Sequence, residues 1–90
     1  MLFMVIEQIK DVDAVGERFR SAGRMMPEGV EYVASWLEPS GSRCFQLMNA
    51  PDADAFRGWT QHWDDLMEFE IVPVLTSADF WKERAAKTPS

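Results

Sequence analysis

The order of the hydrophobic patterns predicts an α+β fold built on four strands and two principal helices. An apolar run at Leu2–Ile9 precedes a helical pattern, two adjacent strand patterns, a second helical pattern and a final strand rich in Val and Ile. With 90 residues, the chain has room for one such domain, over residues 1–90. The β-α-β-β-α-β order is that of the ferredoxin-like arrangement, so we expect an antiparallel sheet with the strand order 4-1-3-2.

The first helix is specified by its apolar spacing. Three- and four-residue steps place its apolar residues on one stripe. The stripe consists of Val12, Val15, Phe19, Ala22 and Met26. Asp11 or Asp13 can accept hydrogen bonds from the free N–H groups of the first turn. Arg18, Arg20 and Arg24 fall toward the C-terminal end, where cations suit the helix dipole. Gly23 and the turn at 27–29 are expected to end the helix.

The two middle strands are expected at 30–37 and Arg43–Asn49, joined by a loop that contains Pro39 and Gly41 and reads as a hairpin connection. Asp52 suits the cap of the second helix. The buried stripe of that helix consists of Phe56, Trp59, Trp63 and Leu66.

The last strand, at 68–76, contains Pro73. Proline has no N–H to give to a strand ladder, so this strand should lie at an edge of the sheet, as the order 4-1-3-2 requires. Ser77 is expected to cap a short helix in a C-terminal extension, 77–90, which carries Phe80 and Trp81.

Composition narrows the classes of partner. The net charge is -6, and the nine Lys and Arg residues form no basic stripe. This argues against nucleic acid and against an anionic membrane surface. Cys44 is the only cysteine, so no internal disulfide can form, which predicts a cytoplasmic location. No apolar stretch approaches the roughly 20 residues of a membrane span.

Alternation sorts the strand residues into two faces. We expect the helices to cover the face made by Leu2, Met4, Ile6, Phe45, Leu47, Phe69 and Ile71. The second face then receives Phe3, Val5, Glu7, Cys44, Gln46, Met48, Glu70, Val72 and Val74. That face is too apolar to be solvated, which predicts a homodimer in which the sheets of two copies pack together. The alternative is a monomer in which the C-terminal extension covers part of it.

Several segments resemble an uncharacterised family of small bacterial proteins. They lie at 1–7, 23–29, 35–36, 43–48, 63–66 and 69–74, and the Arg-Cys-Phe-Gln-Leu-Met stretch at 43–48 is the most specific. That family is similar to the dimeric α+β barrel superfamily, so the resemblance implies the same fold and a dimer. The superfamily includes cofactor-free monooxygenases, lactone isomerases, haem peroxidases and ligand-sensing domains, so the resemblance implies no single activity.

Polar side chains on the second face form the candidate ligand-binding site. Glu7, Gln46 and Glu70 come from strands that are neighbours in the expected order, with Cys44 beside them. Trp36 joins them if the second strand turns the face of Tyr32, Ala34 and Trp36 toward the site; alternation leaves that face open. A few polar groups that converge in an apolar cavity are typical of a small-molecule site. Burial raises the proton affinity of a carboxylate, so Glu7 or Glu70 could act as a catalytic general base near neutral pH.

Other candidates have structural alternatives of equal or greater weight. Arg43 could bind a ligand carboxylate bidentately, or it could pair with Glu31 or Glu38 across the hairpin. Cys44 could be a nucleophile, but no cationic partner is evident, so a buried hydrophobic role is favoured. His62 could form a base with a nearby aspartate, or simply lie on the helix surface.

No metal and no cofactor are expected, since one histidine and one cysteine make a poor ligand set. Three functions remain. The first is the binding of a small, mostly apolar ligand in the barrel cavity, between the sheet and the helices or between subunits. The second is a cofactor-independent monooxygenase or isomerase that uses a buried carboxylate. The third is a structural or interaction dimer without a pocket, which an interior filled by Phe3, Met48, Val72 and Trp36 would favour.

Overall fold

A computed structural model describes residues 1–87 and shows the predicted order of elements. The strands are β1 (Leu2–Ile9), β2 (Glu31–Leu37), β3 (Arg43–Asn49) and β4 (Met67–Val74). They form one antiparallel sheet in the order β2-β3-β1-β4, which is 4-1-3-2 read from the other edge. The prediction of a ferredoxin-like α+β fold is confirmed, and β4 with its Pro73 lies at an edge as expected.

The first helix, α1 (Val12–Ala22), begins where the sequence indicates and ends at Gly23, so Met26 of the predicted stripe lies beyond the helix. The Asp11 side chain accepts a hydrogen bond from the backbone N–H of Ala14 at 3.1 Å. Gly23 ends the helix with a φ of 71°, a left-handed value that glycine adopts without steric cost.

The second helical region is a 3₁₀ turn (Ala53–Phe56) that runs into a short helix, α2 (Arg57–Gln61). Asp52 caps the turn, as expected, by accepting from the N–H of Ala55 at 3.1 Å.

The C-terminal helix, α3 (Ser77–Lys87), follows β4. Its cap is Thr76 rather than Ser77, because Ser77 is already the first helical residue, and the Thr76 Oγ1 accepts from the N–H of Asp79 at 3.0 Å. The predicted extension at 77–90 ends with three residues, 88–90, that lie outside the described residues. No helix in the described part of the chain is both long enough and apolar enough to cross a membrane.

The hydrophobic core lies between the sheet and the 3₁₀–α2 segment. Phe56 and Trp59 are fully buried in it. The ring centroids of Phe3 and Phe56 are 5.3 Å apart, and those of Trp59 and Phe69 are 5.4 Å apart, both in edge-on geometry. Such pairs contribute about 0.5–1.5 kcal/mol each beyond the area they bury, so the core depends on this aromatic chain.

The predicted faces of β1 and β3 are wrong, whereas those of β4 are right. Phe3, Val5 and Met48 are buried under the helices. The opposite face is open, and we call it the open face. It consists of Leu2, Met4, Ile6, Ala34, Trp36, Phe45, Leu47, Glu70, Val72 and Val74. Both faces of β1 are apolar, so alternation shows which residues share a face but cannot show which face the helices cover.

Candidate functional site

A cleft of about 290 Å³, the α1 cleft, separates α1 from the helix-covered face of the sheet. Its floor holds Glu7, Cys44 and Gln46, whose exposed fractions are 3%, 6% and 5%. Its apolar lining consists of Ile9, Val12, Val15, Phe19, Leu37, Trp59, Trp63 and Met67. Apolar walls around a few polar groups are the usual form of a small-molecule site, and a cavity of about 150 Å³ already holds benzene.

The cleft exists because α1 does not close onto the sheet. Gly16 lies one helical turn from both Val12 and Phe19, on the side of α1 that lines the cleft. No described atom lies within 4 Å of the position that a Cβ at Gly16 would take, its own helix backbone and chain neighbours aside. Val12 and Phe19 are each 45% exposed, and none of the α1 residues is fully buried. Val12, Val15 and Phe19 of the apolar stripe therefore line a cleft, and Val15 also packs against the edge of the core.

The polar groups of the floor form one hydrogen-bonded chain. The Arg24 Nε donates to the Gln46 Oε1 at 3.1 Å, and the Gln46 Nε2 donates to the Glu7 Oε2 at 2.8 Å. Among the described residues, no buried side-chain nitrogen or oxygen lacks a partner. The amide thus connects a guanidinium at one end of the cleft with a buried carboxyl group on its floor.

Burial controls the protonation of the floor. It raises the pKa of Glu7 above its ordinary value, and this outweighs the opposing hydrogen bonds from Gln46 and Cys44 and the charge of Arg24. Burial, assisted by the neighbouring Glu7, raises the pKa of Cys44 to about 12. The thiol is therefore protonated at neutral pH, which argues against a nucleophilic role.

Two tryptophans fix the backbone that carries Arg24. The indole Nε1 groups of Trp59 and Trp63 donate to the Arg24 carbonyl oxygen at 2.9 and 3.3 Å. Met25 follows with a φ of 58°, a left-handed conformation that costs a non-glycine residue on the order of 1–3 kcal/mol and clusters at functional sites. The second helical region therefore determines where Arg24 stands.

Aromatic rings fix the side chain of Arg24 as well. Its guanidinium carbon lies 3.9 Å from the centroid of the Tyr32 ring and 5.2 Å from that of Phe19. A cation within about 6 Å of an aromatic face is attracted to it. These rings hold the guanidinium beside the α1 cleft, which Arg24 helps to line.

Three of the six predicted ligand-binding residues meet in the α1 cleft, and three do not. Glu7, Cys44 and Gln46 form its floor. Glu70 is directly opposite Ile6 and lies exposed on the open face. Alternation predicts the correct face for β4 but the wrong face for β1, so Glu70 does not meet Glu7. Trp36 is 55% exposed on the open face.

The remaining candidates lie in local surface contacts. Arg43 is exposed and forms an ion pair with Glu38, one of the two hairpin partners that the sequence offered. His62 is exposed after α2. The aspartate three residues on, Asp65, pairs instead with Arg18. Within residues 1–87, no group of three His, Cys, Asp or Glu side chains is placed to hold a metal ion.

Sequence reasoning missed Arg24 and Gly16 as site residues. The signal for Gly16 was a glycine in the middle of an apolar helix stripe, where a larger residue would ordinarily pack. The signal for Arg24 was its position directly after the helix-ending Gly23, where the chain turns back toward the sheet. Neither position in the sequence indicates which ligand the cleft binds.

A comparison with protein families confirms the resemblance to an uncharacterised family that the sequence indicates. The family model described as a domain of unknown function (DUF3303) matches residues 1–87. No curated protein and no solved structure matches the chain.

Proposed function

The chain belongs to the DUF3303 family, and we propose that it binds a small, mostly apolar molecule in the α1 cleft. One observation carries the proposal: the cleft has an apolar lining over a buried Glu7–Gln46 pair. Burying a carboxyl group costs free energy unless the group has a hydrogen-bond partner. Here Gln46 supplies the structural partner, and the empty volume above both groups leaves space for a ligand.

The volume and lining limit the affinity that can be expected. A ligand of about one aromatic ring buries roughly 150–250 Å². At about 25 cal/mol per Å², this contributes roughly 4–6 kcal/mol before the cost of association. Even without the cost of association, roughly 4–6 kcal/mol corresponds to dissociation constants of about 1 mM to 40 μM. We therefore expect weak binding, in the millimolar range or at best tens of micromolar, which calls for a titration in solution rather than for capture on a column.

The test replaces two helical glycines with leucine, one that lines the cleft and one that does not. Gly16 lines the α1 cleft, whereas Gly58 in α2 does not, and both have open space around a Cβ. Either change to Leu removes a helical glycine and should stabilise its helix by about 0.5–1 kcal/mol. We expect Gly16→Leu to fill the cleft, and Gly58→Leu to leave it open.

The readout is a titration of the ¹⁵N-labelled full chain with monocyclic and short-chain organic compounds, followed by backbone amide shifts. The proposal expects shifts around Glu7, Val15 and Gln46 in the native chain and in Gly58→Leu, and none in Gly16→Leu. Equal binding by both variants would place the ligand elsewhere. The absence of binding to the native chain would favour the interaction dimer without a pocket.

A cofactor-independent enzyme that uses a buried carboxylate is the second candidate, and the raised pKa of Glu7 supports it. A raised pKa makes the ionised Glu7 a stronger base than an ordinary carboxylate. Glu70 lies on the open face, so within this proposal the role of general base falls to Glu7 alone. Glu7→Gln should then abolish turnover of a bound substrate while leaving its binding largely intact.

We also propose that the open face packs against a second copy of the chain. Its residues are mostly apolar and only half-buried, as Met4 and Leu47 are. Phe80 and Trp81 in α3 pack edge-on with ring centroids 5.0 Å apart and remain 42% and 66% exposed, so they do not serve as the cover. The single free cysteine, Cys44, supports a cytoplasmic location for this dimer.

Light scattering tests the dimer. The native chain should have twice its mass of 10.3 kDa. Met4 and Leu47 are directly opposite each other, so changing both to Glu should give a monomer. Val12→Glu, an exposed valine on α1, is the control and should leave the dimer intact. A monomeric native chain would overturn this part of the proposal.

A further inference from the structure

We propose that the ligand of the α1 cleft is an organic anion, with a carboxylate as the simplest case, whose charged group binds Arg24 while its apolar part fills the cleft. This inference rests on the proposed binding function and adds the chemical class of the ligand.

Among the described residues, Arg24 is the one cation that lines the α1 cleft, and it makes no direct ion pair with a carboxylate. Its charge acts on Glu7 only across the intervening Gln46 amide. By contrast, Arg18, Arg43 and Arg57 are paired directly with Asp65, Glu38 and Asp54. Arg24 is half-buried, unlike the exposed Arg57, so it gives up part of its hydration without an ion pair in return. An incoming anion would supply that partner.

The donors of Arg24 are only partly used. A guanidinium carries five N–H donors. The Nε donates to Gln46 at 3.1 Å, and no described residue accepts a hydrogen bond from either Nη group. These two groups present the paired donors that bind a carboxylate bidentately.

The guanidinium is also held in place before any ligand arrives. Trp59 and Trp63 bind the Arg24 carbonyl oxygen, and the Tyr32 ring lies under the guanidinium. A fixed donor pair loses little conformational entropy on binding. A surface arginine that merely keeps a protein soluble does not need such support from two separate parts of the chain.

The position of the Glu7 carboxyl group also agrees with an anionic ligand. Among residues 1–87, Glu7 is the one carboxyl group that lines the cleft. It lies beyond the Gln46 amide, since the hydrogen bonds run from Arg24 to Gln46 and then to Glu7. The anion would therefore contact Arg24 at the near end, while the carboxyl group of Glu7 faces the apolar part of the ligand.

Matched pairs of compounds test this inference. Phenylacetate with phenylacetamide, and hexanoate with hexanamide, differ in charge but hardly in shape. Each is titrated into the full chain and into Arg24→Gln, and Arg20→Gln serves as the control. Arg20 is an exposed residue of α1 outside the cleft lining, and its loss changes the net charge by the same amount.

The native chain should bind each carboxylate at least about tenfold more tightly than its amide, since charge-assisted hydrogen bonds are roughly twice as strong as neutral ones. Arg24→Gln should remove this preference and leave amide binding within about twofold, while Arg20→Gln should keep it. Amide binding in the cleft without a carboxylate preference would overturn this inference and leave the binding function standing. An equal loss in Arg20→Gln would also overturn it. If neither compound binds in the cleft, both proposals are wrong.

Discussion

The Gln46 side-chain amide donates a hydrogen bond of 2.8 Å to the Glu7 carboxyl group, across the 39 positions that separate the two residues in the chain. Both side chains are buried on the helix-covered face. The contact joins β1 to β3 beneath the α1 cleft. It makes the floor of the cleft polar without leaving a buried polar atom unpaired.

Removing only Gln46 from the Glu7–Gln46 pair should lower the free energy of unfolding more than removing both side chains. Gln46→Leu leaves Glu7 buried without its amide donor, which should lower the free energy of unfolding by about 1–3 kcal/mol. Adding Glu7→Met to that variant removes the stranded carboxyl group and should recover part of the loss. Urea unfolding of the single and double variants measures both values. If the double variant is less stable than Gln46→Leu alone, the pair does not act as a coupled unit.

The pKa of Glu7 predicts a pH dependence with a definite sign. Because the folded-state pKa is raised above the ordinary 4.5, the folded chain binds the proton more tightly than the unfolded chain. This contribution to stability is therefore full below the unfolded-state pKa and is lost as the pH rises through the folded-state pKa. Glu7→Gln does not titrate, so its Tm relative to the native chain should increase from acidic to neutral pH.

Thermal melts across that pH range measure this difference between Glu7→Gln and the native chain. Exposed carboxylates titrate alike in both proteins, so they cancel in the comparison. A Tm difference that stays constant with pH would mean that the pKa of Glu7 is the same in the folded and unfolded chains.

Cys44 should be nearly unreactive in the folded protein. Its pKa of about 12, against an ordinary 9.0, leaves roughly 1,000-fold less thiolate at mildly alkaline pH. Reaction with a disulfide reagent at that pH should therefore be far slower for the native chain than for the chain in guanidinium chloride. A native rate within tenfold of the unfolded rate would show that the thiol is neither buried nor suppressed by Glu7.

An ion pair anchors α1 to the turn that follows α2. Arg18 donates to both carboxylate oxygens of Asp65, at 2.7 and 2.8 Å, and to the carbonyl oxygen of His62 at 2.8 Å. The guanidinium also holds the pKa of Asp65 below its usual range through these hydrogen bonds. Because α1 has no fully buried residue, we expect this anchor to limit its opening.

Hydrogen exchange compares two ion pairs. Arg18→Gln should speed exchange of the α1 amides by about threefold or more, since opening of a weakly packed element sets their exchange rate. Arg57→Gln breaks an ion pair with Asp54 that stays within the 3₁₀–α2 segment, and it should leave α1 unchanged. Equal exchange of α1 in the two variants would mean that Arg18 does not anchor the helix.

The sequence was enough to predict the elements and their order, because local signals mark them. Asp11 and Asp52 cap the helices that they precede, and Pro73 lies on an edge strand. It was not enough to orient the sheet. Leu2, Met4 and Ile6 are as apolar as Phe3 and Val5, so alternation could not decide which set the helices cover.

Because alternation does not show which face of β1 the helices cover, only part of the candidate site was predicted correctly. Glu7 and Gln46 share a face by alternation, and they do meet, whereas Glu70 was placed with them only because β1 was assigned the wrong face. Arg24 could not be predicted at all. Its placement depends on indole hydrogen bonds from residues 35 and 39 positions away, and local sequence carries no signal of such contacts.

Nuclear Overhauser contacts between a bound, unlabelled ligand and the labelled full chain test the central claim most directly. Binding in the α1 cleft predicts contacts from the ligand to the Gln46 side-chain amide, the Val15 methyl groups and the Trp63 ring, each of which lines the cleft. Contacts confined to Phe80 and Trp81 would instead place the ligand in the groove of about 760 Å³ beside α3. That result would contradict the account of the α1 cleft as the binding site.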